Sequence, residues 1–474
     1  MTLRDLFGSE QPPVAVSALA LDDRVVAPGT VFFCVPGFTR DGHDFAHQAV
    51  RRGAAALVVQ RPLDDPALAD VPQVLVPDVR AAMAPAAAAL NGDPTARLVT
   101  AGITGTNGKT TTAYLLRALL EAAGHRTGLL GTVSSVIGGV EEPTLRTTPE
   151  AIELQRCFAS MLAARDTHCV MEVSSHALEL RRADAIHWAV AVFTNLSQDH
   201  LDFHPDMASY FAAKRRLFEA AEGPSVVNSD DPRGRELAAG LPGVMTVGLQ
   251  AGAEVRATQV CFGLTGSDFT LDGVRLHTPL PGRFNVVNAL GAIAAARVLG
   301  VDDATIARAL RDAGRVPGRL EPVDEGQEFA VLVDYAHTPD GLDNVLRAAR
   351  ELAGAGRVIA VFGAGGDRDR GKRPLMGAVA AERADIVVVT SDNPRSEDPE
   401  AIVAEVLQGA GAGAEAIVDR RAAITHAVRA ARPGDVVVIA GKGHEQGQEF
   451  AHARKEPFDD VTVAREALRE RLVA

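Results

Sequence analysis

Short apolar runs bounded by polar turns alternate with stretches of helical period along most of this chain. Over residues 1–97, Val31–Val35, Ala56–Val59 and Val74–Val76 predict strands, while Phe45–Arg52 and Val79–Leu90 predict helices. Asn91-Gly-Asp-Pro94 gathers turn formers and marks a linker. Over residues 98–317, candidate strands end at Met171-Glu-Val-Ser174, Val192-Phe-Thr-Asn195 and Val226-Val-Asn228, and Met207–Ala220 predicts a helix. Residues 318–474 return to strand–helix alternation, with strands at Ala330–Val333, Val358–Phe362, Ile386–Thr390 and Val436–Ala440. Alternation of this kind predicts α/β architecture with mostly parallel sheets, here in three domains. No internal repeat interrupts it.

The run Leu98-Val-Thr-Ala-Gly-Ile-Thr-Gly-Thr-Asn-Gly-Lys-Thr-Thr-Thr112 carries the most chemistry. An apolar strand enters a glycine loop, and a helix follows whose apolar face reads Ala113, Leu116, Leu119, Leu120 and Ala123, with Gly124 placed to end it. Glycines at 102, 105 and 108 let backbone N–H groups approach an anion, and the helix N-terminus adds partial positive charge. Lys109 can reach a terminal phosphate, and Thr110 can give Mg²⁺ a hydroxyl. The loop is not the strict P-loop pattern, because Ile103 stands where that pattern wants glycine. A bare glycine loop could be only a tight turn. The lysine, the threonines and the strand–loop–helix setting predict instead a nucleoside triphosphate site.

Each predicted strand of the third segment runs into a polar or glycine-rich turn: Asp334-Tyr-Ala-His337, Gly363-Ala-Gly-Gly-Asp-Arg-Asp369, Ser391-Asp-Asn-Pro-Arg395 and Gly441-Lys-Gly-His-Glu445. One such turn is a plain connection; four in succession predict a binding crevice at the carboxyl ends of parallel strands. In the middle segment Glu172-Val-Ser-Ser-His176 and Thr194-Asn-Leu-Ser-Gln-Asp-His200 follow strands, and Lys214 lies on a predicted helix. Glu172, His200 and the Thr110 hydroxyl suit divalent cations near phosphate oxygens. Taken singly, Glu172 reads equally as a strand-end charge and His200 as a helix-entry residue.

Composition narrows the classes. A net charge of −13 disfavours nucleic acid and anionic membrane surfaces as partners, so a phosphate-rich substrate needs local positive sites. No apolar run reaches the length of a membrane span and no basic leader precedes one, so no membrane insertion is expected. Cys34, Cys157, Cys169 and Cys261 form neither a CxxC pair nor a metal spacing; they read as buried thiols in a reducing compartment, with the cytoplasm as default.

Together these segments resemble the Mur ligase family, most closely its MurE type, the UDP-N-acetylmuramoyl-tripeptide synthetases. The resemblance covers essentially the whole chain: Asp22-Asp-Arg-Val-Val-Ala-Pro-Gly-Thr30, Asp41-Gly-His-Asp-Phe45, the glycine loop, Arg146-Thr-Thr-Pro149, Met171-Glu-Val-Ser-Ser-His176, Gly282-Arg-Phe-Asn-Val-Val-Asn-Ala289, Pro317-Gly-Arg-Leu-Glu321, Asp334-Tyr-Ala-His-Thr-Pro339, Asp392-Asn-Pro-Arg395 and Gly441-Lys-Gly-His-Glu445. The loop alone would admit folylpolyglutamate synthetases; the third-segment motifs narrow the match. The resemblance implies an N-terminal UDP-substrate domain (1–97), a central P-loop-type, mostly parallel sheet with helices that binds ATP (98–317), and a C-terminal Rossmann-like α/β domain that binds an amino acid (318–474). It further implies ATP-driven addition of a diamino acid to UDP-N-acetylmuramoyl-L-alanyl-D-glutamate through an acyl phosphate. The partners are then that UDP-muramoyl-dipeptide and a diamino acid, and the expected state is a monomer.

By position, the resemblance gives the ATP phosphates to Gly105, Thr106, Asn107, Gly108, Lys109, Thr110 and Thr111, with Asn285, Arg319 and Asp334 as further ATP contacts. Thr110 and Glu172 would hold one Mg²⁺; His200 and Lys214, the latter as a carbamate, would hold a second. Thr147, Thr148, Ser174 and Arg182 match positions for the muramoyl-dipeptide, and Arg368, Asp392, Asn393, Pro394, Arg395, Gly441 and Glu445 match the amino-acid pocket. Two positions depart from the family pattern: Asp23 replaces a serine near the uridine site, and Leu180 replaces a glutamine. Asp392-Asn-Pro-Arg395 matches the form seen in ligases that add meso-diaminopimelate. Its far carboxylate could take a bidentate bond from Arg395, with Arg368 in reach, while Glu445 and Asn393 receive the far ammonium. L-Lysine and L-ornithine, the alternative substrates, would leave Arg395 facing a like charge. A P-loop switch or motor, or a nucleotide-binding scaffold, would have no use for the four strand-end motifs.

Overall fold

The computed structural model describes residues 1–144 and 146–473; Ala474, the end of the third expected domain, lies outside the described residues. The chain forms two compact units. The first comprises residues 1–102, 125–191 and 216–223; the second comprises 103–124, 192–215 and 224–474.

In the first unit the N-terminal strands Ala18–Ala20, Thr30–Phe33, Ala54–Val59 and Gln73–Leu75 form a parallel four-stranded sheet in that order. Alternate residues serve opposite faces, as a strand's period of two requires. Val31 and Phe33 pack with Val79 and Met83 of the helix Val79–Leu90, while Phe32 and Cys34 pack with Ala46 and Ala49 of the helix Ala46–Arg51. The strand His168–Glu172 pairs in parallel with Thr127–Leu130, and an antiparallel hairpin, Ser134–Ile137 and Val140–Pro143, extends from the latter.

In the second unit Ser225–Asn228, Val244–Gly248 and Val255–Arg256 are parallel neighbours. A three-stranded antiparallel meander follows, Thr258–Gly263, Gly266–Leu271 and Val274–Thr278, which the sequence reading did not foresee. Its strand Thr258–Gly263 leaves Cys261 exposed, and Cys157 is half-buried, so only Cys34 and Cys169 meet the expectation of buried thiols.

The C-terminal sheet runs Glu321–Pro322, Ala330–Asp334, Val436–Ala440, Val358–Phe362, Ile386–Val389, Glu415–Ala416, parallel except at the first edge. Helices cover both faces. Leu332, Ala360, Phe362, Val389 and Val438 pack against Leu342, Met376 and Val406; Val331, Val333, Ile359, Val361 and Ile439 pack against Ile424, Val428, Ala464 and Leu468. Strands buried on both faces explain the near-continuous Val/Ile/Ala runs. Asp334, Ala440, Phe362 and Val389 are register partners, so the four polar turns leave the sheet at one level. Among the described residues no helix is long and apolar enough to cross a membrane.

One fully buried ion pair ties this edge together. Arg420 donates to both carboxylate oxygens of Asp460, at 2.8 and 2.6 Å, and to the carbonyls of Ser391 and Ala440 at 3.3 and 3.0 Å. Arg420→Met strands the Asp460 charge and should lower stability by about 3–5 kcal/mol, whereas Arg420→Met with Asp460→Leu should recover most of that loss. Denaturant midpoints of the two variants against the parent check it.

Candidate functional site

The strand Val99–Thr104 delivers the glycine loop, and the helix Lys109–Ala122 carries it away. Gly105 and Gly108 have positive φ, +152° and +85°, and a Cβ would overlap Thr194 Oγ1 at the first and Asn288 Oδ1 at the second. Only glycine lets the backbone approach that closely. Side chains then lock the loop. Thr194 Oγ1 and Asn195 Nδ2 donate to the Asn107 carbonyl at 2.6 and 3.1 Å, Asn107 N donates to Asn195 Oδ1 at 2.9 Å, and the Thr106 hydroxyl lies 3.0 Å from Tyr210. Lys109 folds over the loop and donates to the carbonyls of Gly105 and Thr106 at 2.9 and 2.8 Å. Thr110 and Thr111 are buried, and Thr110 Oγ1 accepts from Arg319 Nη2 at 2.9 Å.

Arg319 stacks over the Tyr335 ring at 4.6 Å, and its Nε is buried without a partner. Asp334 accepts from the amides of Leu320 and Ala336, at 2.7 and 2.8 Å, and burial raises its pKa despite the Arg319 charge. Asn285 is buried, donating to Pro281 and accepting from Asn288 at 3.2 Å. The third segment also reaches the loop through Asp340, which accepts from Asn107 Nδ2 at 2.9 Å and whose pKa burial raises.

Lys214, on the helix Met207–Ala220, is almost wholly buried; Nζ donates to the Gly105 carbonyl at 2.8 Å and sits 4.6 Å from the Tyr210 ring centre. Burial pushes its pKa well below the usual lysine range, and the Lys109 charge pushes it further, against a smaller pull from Asp199. His200 adopts a positive φ of 56° and places Nε2 3.4 Å from Asp199 Oδ2. Buried Asp199 also faces His337 Nε2 at 3.7 Å and Lys372 Nζ at 3.2 Å. Burial alone would raise the Asp199 pKa, but the His337 hydrogen bond and the charges of His200 and Lys372 outweigh it and hold it well below the carboxylate range.

In the first unit Glu172 is fully buried and accepts from Thr132 N and Oγ1 at 2.8 and 3.0 Å. Thr147 Oγ1 lies 3.0 Å from Thr132 Oγ1. Thr148 Oγ1 donates to the Glu172 carbonyl at 2.9 Å and accepts from Ser174 N at 3.1 Å, and Arg182 Nη1 reaches the Thr148 carbonyl at 3.3 Å. Ser174 caps the helix Ser175–Glu179 through Ala177 N. Thr147, Thr148, Ser174 and Arg182 are therefore brought together with Glu172. Arg182 also shares Glu150 with Arg80 and Arg146, at 2.9, 3.3 and 3.1 Å, a cluster the sequence reading missed. Asp23 pairs with Arg52, which neutralises the added carboxylate.

The four turns of the third segment also converge. Asn393 Nδ2 donates to Glu445 Oε2 at 2.8 Å, and Asn393 Oδ1 accepts from Lys442 Nζ at 2.9 Å and Glu449 N at 3.0 Å. That arrangement corrects the expected role of Asn393: its oxygen is fully used, so it cannot receive an ammonium. Arg395 is half-buried, not a solvated turn residue; Nε meets Glu449 Oε2 at 3.1 Å and Nη1 the Gly366 carbonyl at 2.8 Å. Pro394 precedes it in the same turn, and Arg368 Nη1 bonds the Asp367 carbonyl at 2.8 Å. Buried Asp392 lies 3.8 Å from Lys442 Nζ beside Gly441; burial favours its neutral form, but Lys442 and Arg420 hold its pKa low. The sequence reading missed Lys372 and Lys442. A signal for both was present, because the chain has only five lysines: Lys109, Lys214, Lys372, Lys442 and Lys455.

With this geometry in hand, comparison with known proteins is direct. Family models match residues 16–91 (Mur ligase family, catalytic domain), 103–296 (Mur ligase middle domain) and 318–443 (Mur ligase, glutamate ligase domain). A UDP-N-acetylmuramoyl-L-alanyl-D-glutamate–2,6-diaminopimelate ligase of Syntrophomonas wolfei is 47% identical over 468 residues, covering 96% of this chain and 95% of that protein. The protein of the same name from Geobacillus thermodenitrificans is 47% identical over 473 residues, covering 96% of this chain and 95% of its own. A solved structure of a ligase of that name, 33% identical, superposes with a TM-score of 0.70 over 100% of this chain and 99% of its own. The MurF ligase of Thermotoga maritima, solved with ADP, is 18% identical with a TM-score of 0.66 over 97% and 98% of the two chains, and shares the fold.

The loop geometry carries its own test. Gly105→Ala forces a methyl group into Thr194 in a backbone conformation that alanine avoids. Affinity for ATP should fall on the order of tenfold or more, read by titration of a fluorescent ATP analogue, while the helical circular dichroism signal stays at the parent level.

Proposed function

The chain belongs to the Mur ligase family, and we infer that it is the ATP-dependent ligase that adds meso-diaminopimelate to UDP-N-acetylmuramoyl-L-alanyl-D-glutamate in peptidoglycan synthesis. The observation that supports this reading is that one compact unit holds both the glycine loop and the cluster of Asn393, Arg395 and Glu445. A switch or motor needs the first and has no use for the second.

The substrate's carboxylate attacks the γ-phosphate of ATP, giving an acyl phosphate and ADP; the amine of the amino acid then attacks the acyl carbon, and phosphate leaves. The loop residues 105–111 cradle the phosphates, with Lys109 leaving its two carbonyls for the γ-phosphate. Arg319, already at Thr110 and with a buried Nε unsatisfied, follows the same charge. Asn285 and Asp334 shape the nucleotide site. Thr147, Thr148, Ser174 and Arg182 hold the muramoyl-dipeptide, and Arg368, Asp392, Asn393, Pro394, Arg395, Gly441 and Glu445 the amino acid. The three segments 1–97, 98–317 and 318–474 serve as UDP-substrate, ATP and amino-acid domains.

Magnesium suits hard oxygen donors of the kind that the Thr110 hydroxyl offers in the second unit and the buried Glu172 carboxylate in the first, with His200 for a second ion. When bound, the metal offsets phosphate charge as the carboxylate approaches. Lys214 as an ammonium is a donor and fits no metal. Its burial and the nearby Lys109 favour the neutral amine, which can add to CO₂: an N–C bond forms, one proton leaves, and a carbamate oxygen becomes available.

Release of phosphate should require ATP, the UDP-muramoyl-dipeptide and a diamino acid together, with kcat/KM for meso-diaminopimelate exceeding that for L-lysine or L-ornithine. Preference for either of those by more than about tenfold overturns the amino acid and leaves the ligase. Lys214→Ala should be nearly inactive and partly restored by a short carboxylic acid in the buffer, and Lys214→Arg should remain inactive. A fully active Lys214→Arg enzyme ends the carbamate reading.

A further inference from the structure

We propose that Lys442 is the positioning residue of the amino-acid pocket. By fixing how Asn393 and Glu445 face, it leaves one N–H donor beside one carboxylate oxygen, a pair matched to the carboxylate and ammonium of a second amino-acid head group. The proposal rests on the ligase reading above and deepens it.

Lys442 is completely buried, and an ammonium can only donate. The Asn393 atom facing it at 2.9 Å must therefore be oxygen. Glu449 N donates to the same oxygen at 3.0 Å, so both lone pairs are taken. Glu445, which can only accept when ionised, must face Asn393 Nδ2, and does so at 2.8 Å through Oε2. Lys442 holds that same Oε2 at 2.9 Å. Each group is thus pinned on one side. What remains is the second N–H of Asn393, which suits a carboxylate, and Oε1 of Glu445, which suits an ammonium. Without the lysine only Glu449 N and Glu445 orient the amide, and Glu445 loses the ammonium that pins its Oε2, so the pair is held less firmly.

The backbone and the residue type agree. Gly441, at a φ of +118°, passes so close to Asp392 that a Cβ would lie 2.5 Å from its carboxylate, and the next residue is turned inward. Nζ has two acceptors at hydrogen-bond distance, Asn393 Oδ1 and Glu445 Oε2, and an ion contact at 3.8 Å with Asp392 Oδ1. That count suits the three donors of an ammonium, not the five of a planar guanidinium.

Phosphate release by the parent enzyme, Lys442→Met, Glu445→Gln and the double variant gives KM for each of the three substrates, and thermal melting reports folding. Lys442→Met should raise KM for meso-diaminopimelate on the order of 10- to 100-fold, shrink its advantage over L-lysine by a similar factor, and leave KM for ATP and the UDP-dipeptide within about twofold. The double variant should do no worse than the poorer single one, because both changes disable the same contact. It also removes the Glu445 charge that Lys442→Met would strand, while Asp392 keeps the Arg420 charge nearby, so it folds where Lys442→Met alone does not, and its comparison with Glu445→Gln then decides. An unchanged KM for diaminopimelate, equal losses on all three substrates, or additive effects overturn the positioning role while the parent's activity upholds the ligase. A parent that prefers L-lysine overturns the substrate reading first, and this proposal with it.

Discussion

An ammonium withdrawn from water must find acceptors for its protons or give one up, and that constraint organises the second unit of this protein. Lys214, Lys372 and Lys442 are all buried, and Lys109 is half-buried. Their solutions differ. Lys372 meets the carboxylate of Asp199, and Lys442 meets an amide oxygen and a carboxylate; both orient what they touch. Lys214 finds one carbonyl and an aromatic face with Lys109 nearby, so its neutral form is favoured. The same residue type thus meets burial in different ways, and the partners within reach of each ammonium decide which.

The partners exist because parallel strands in register end together. Asp334, Ala440, Phe362 and Val389 lie level, so turns separated by up to a hundred residues of chain, in round terms, project from one edge of the sheet. Arg420 ties that edge together by taking the carbonyl of Ala440 at a strand end, the carbonyl of Ser391 in a neighbouring turn, and the carboxylate of Asp460. A cluster whose groups come from four turns needs such a support, because each turn alone is free to move.

The elements that were legible in the sequence are those whose burial pattern is simplest. Val79–Leu90, Met207–Ala220, Val358–Phe362 and Val436–Ala440 appear with the bounds their apolar pattern predicts, since a buried strand is a continuous apolar run and an amphipathic helix has one apolar stripe. The meander from Thr258 to Thr278 escaped because its first strand is largely exposed and carries Thr, Gln and Cys. Its Asp272-Gly273 turn, with φ of +50° and +81°, was the readable hairpin signal. At the site, residue identities were legible and partnerships were not. Asn393 could be placed in a pocket from its motif, but whether it offers nitrogen or oxygen depends on Lys442, Glu445 and Glu449 around it. The cluster of Arg80, Arg146 and Arg182 on Glu150 is likewise spread over distant stretches of chain.

Composition held a clue that motif reading passed over. Of 48 lysines and arginines only five are lysines, so arginine supplies nearly every surface cation. Arginine suffices wherever a charge faces water or forks onto a carboxylate, as Arg357 does with Asp435. It fails where a compact point charge must enter a closed space, and where a proton must be lost, because the guanidinium stays charged. Positions 214, 372 and 442 impose those demands, through full burial and few acceptors. Only Lys455 lies in an exposed strand. In a chain that otherwise uses arginine, four of the five lysines mark places where geometry or protonation excludes it: the glycine loop, the helix Met207–Ala220 beside it, the start of the helix Lys372–Arg383, and the turn after the strand Val436–Ala440.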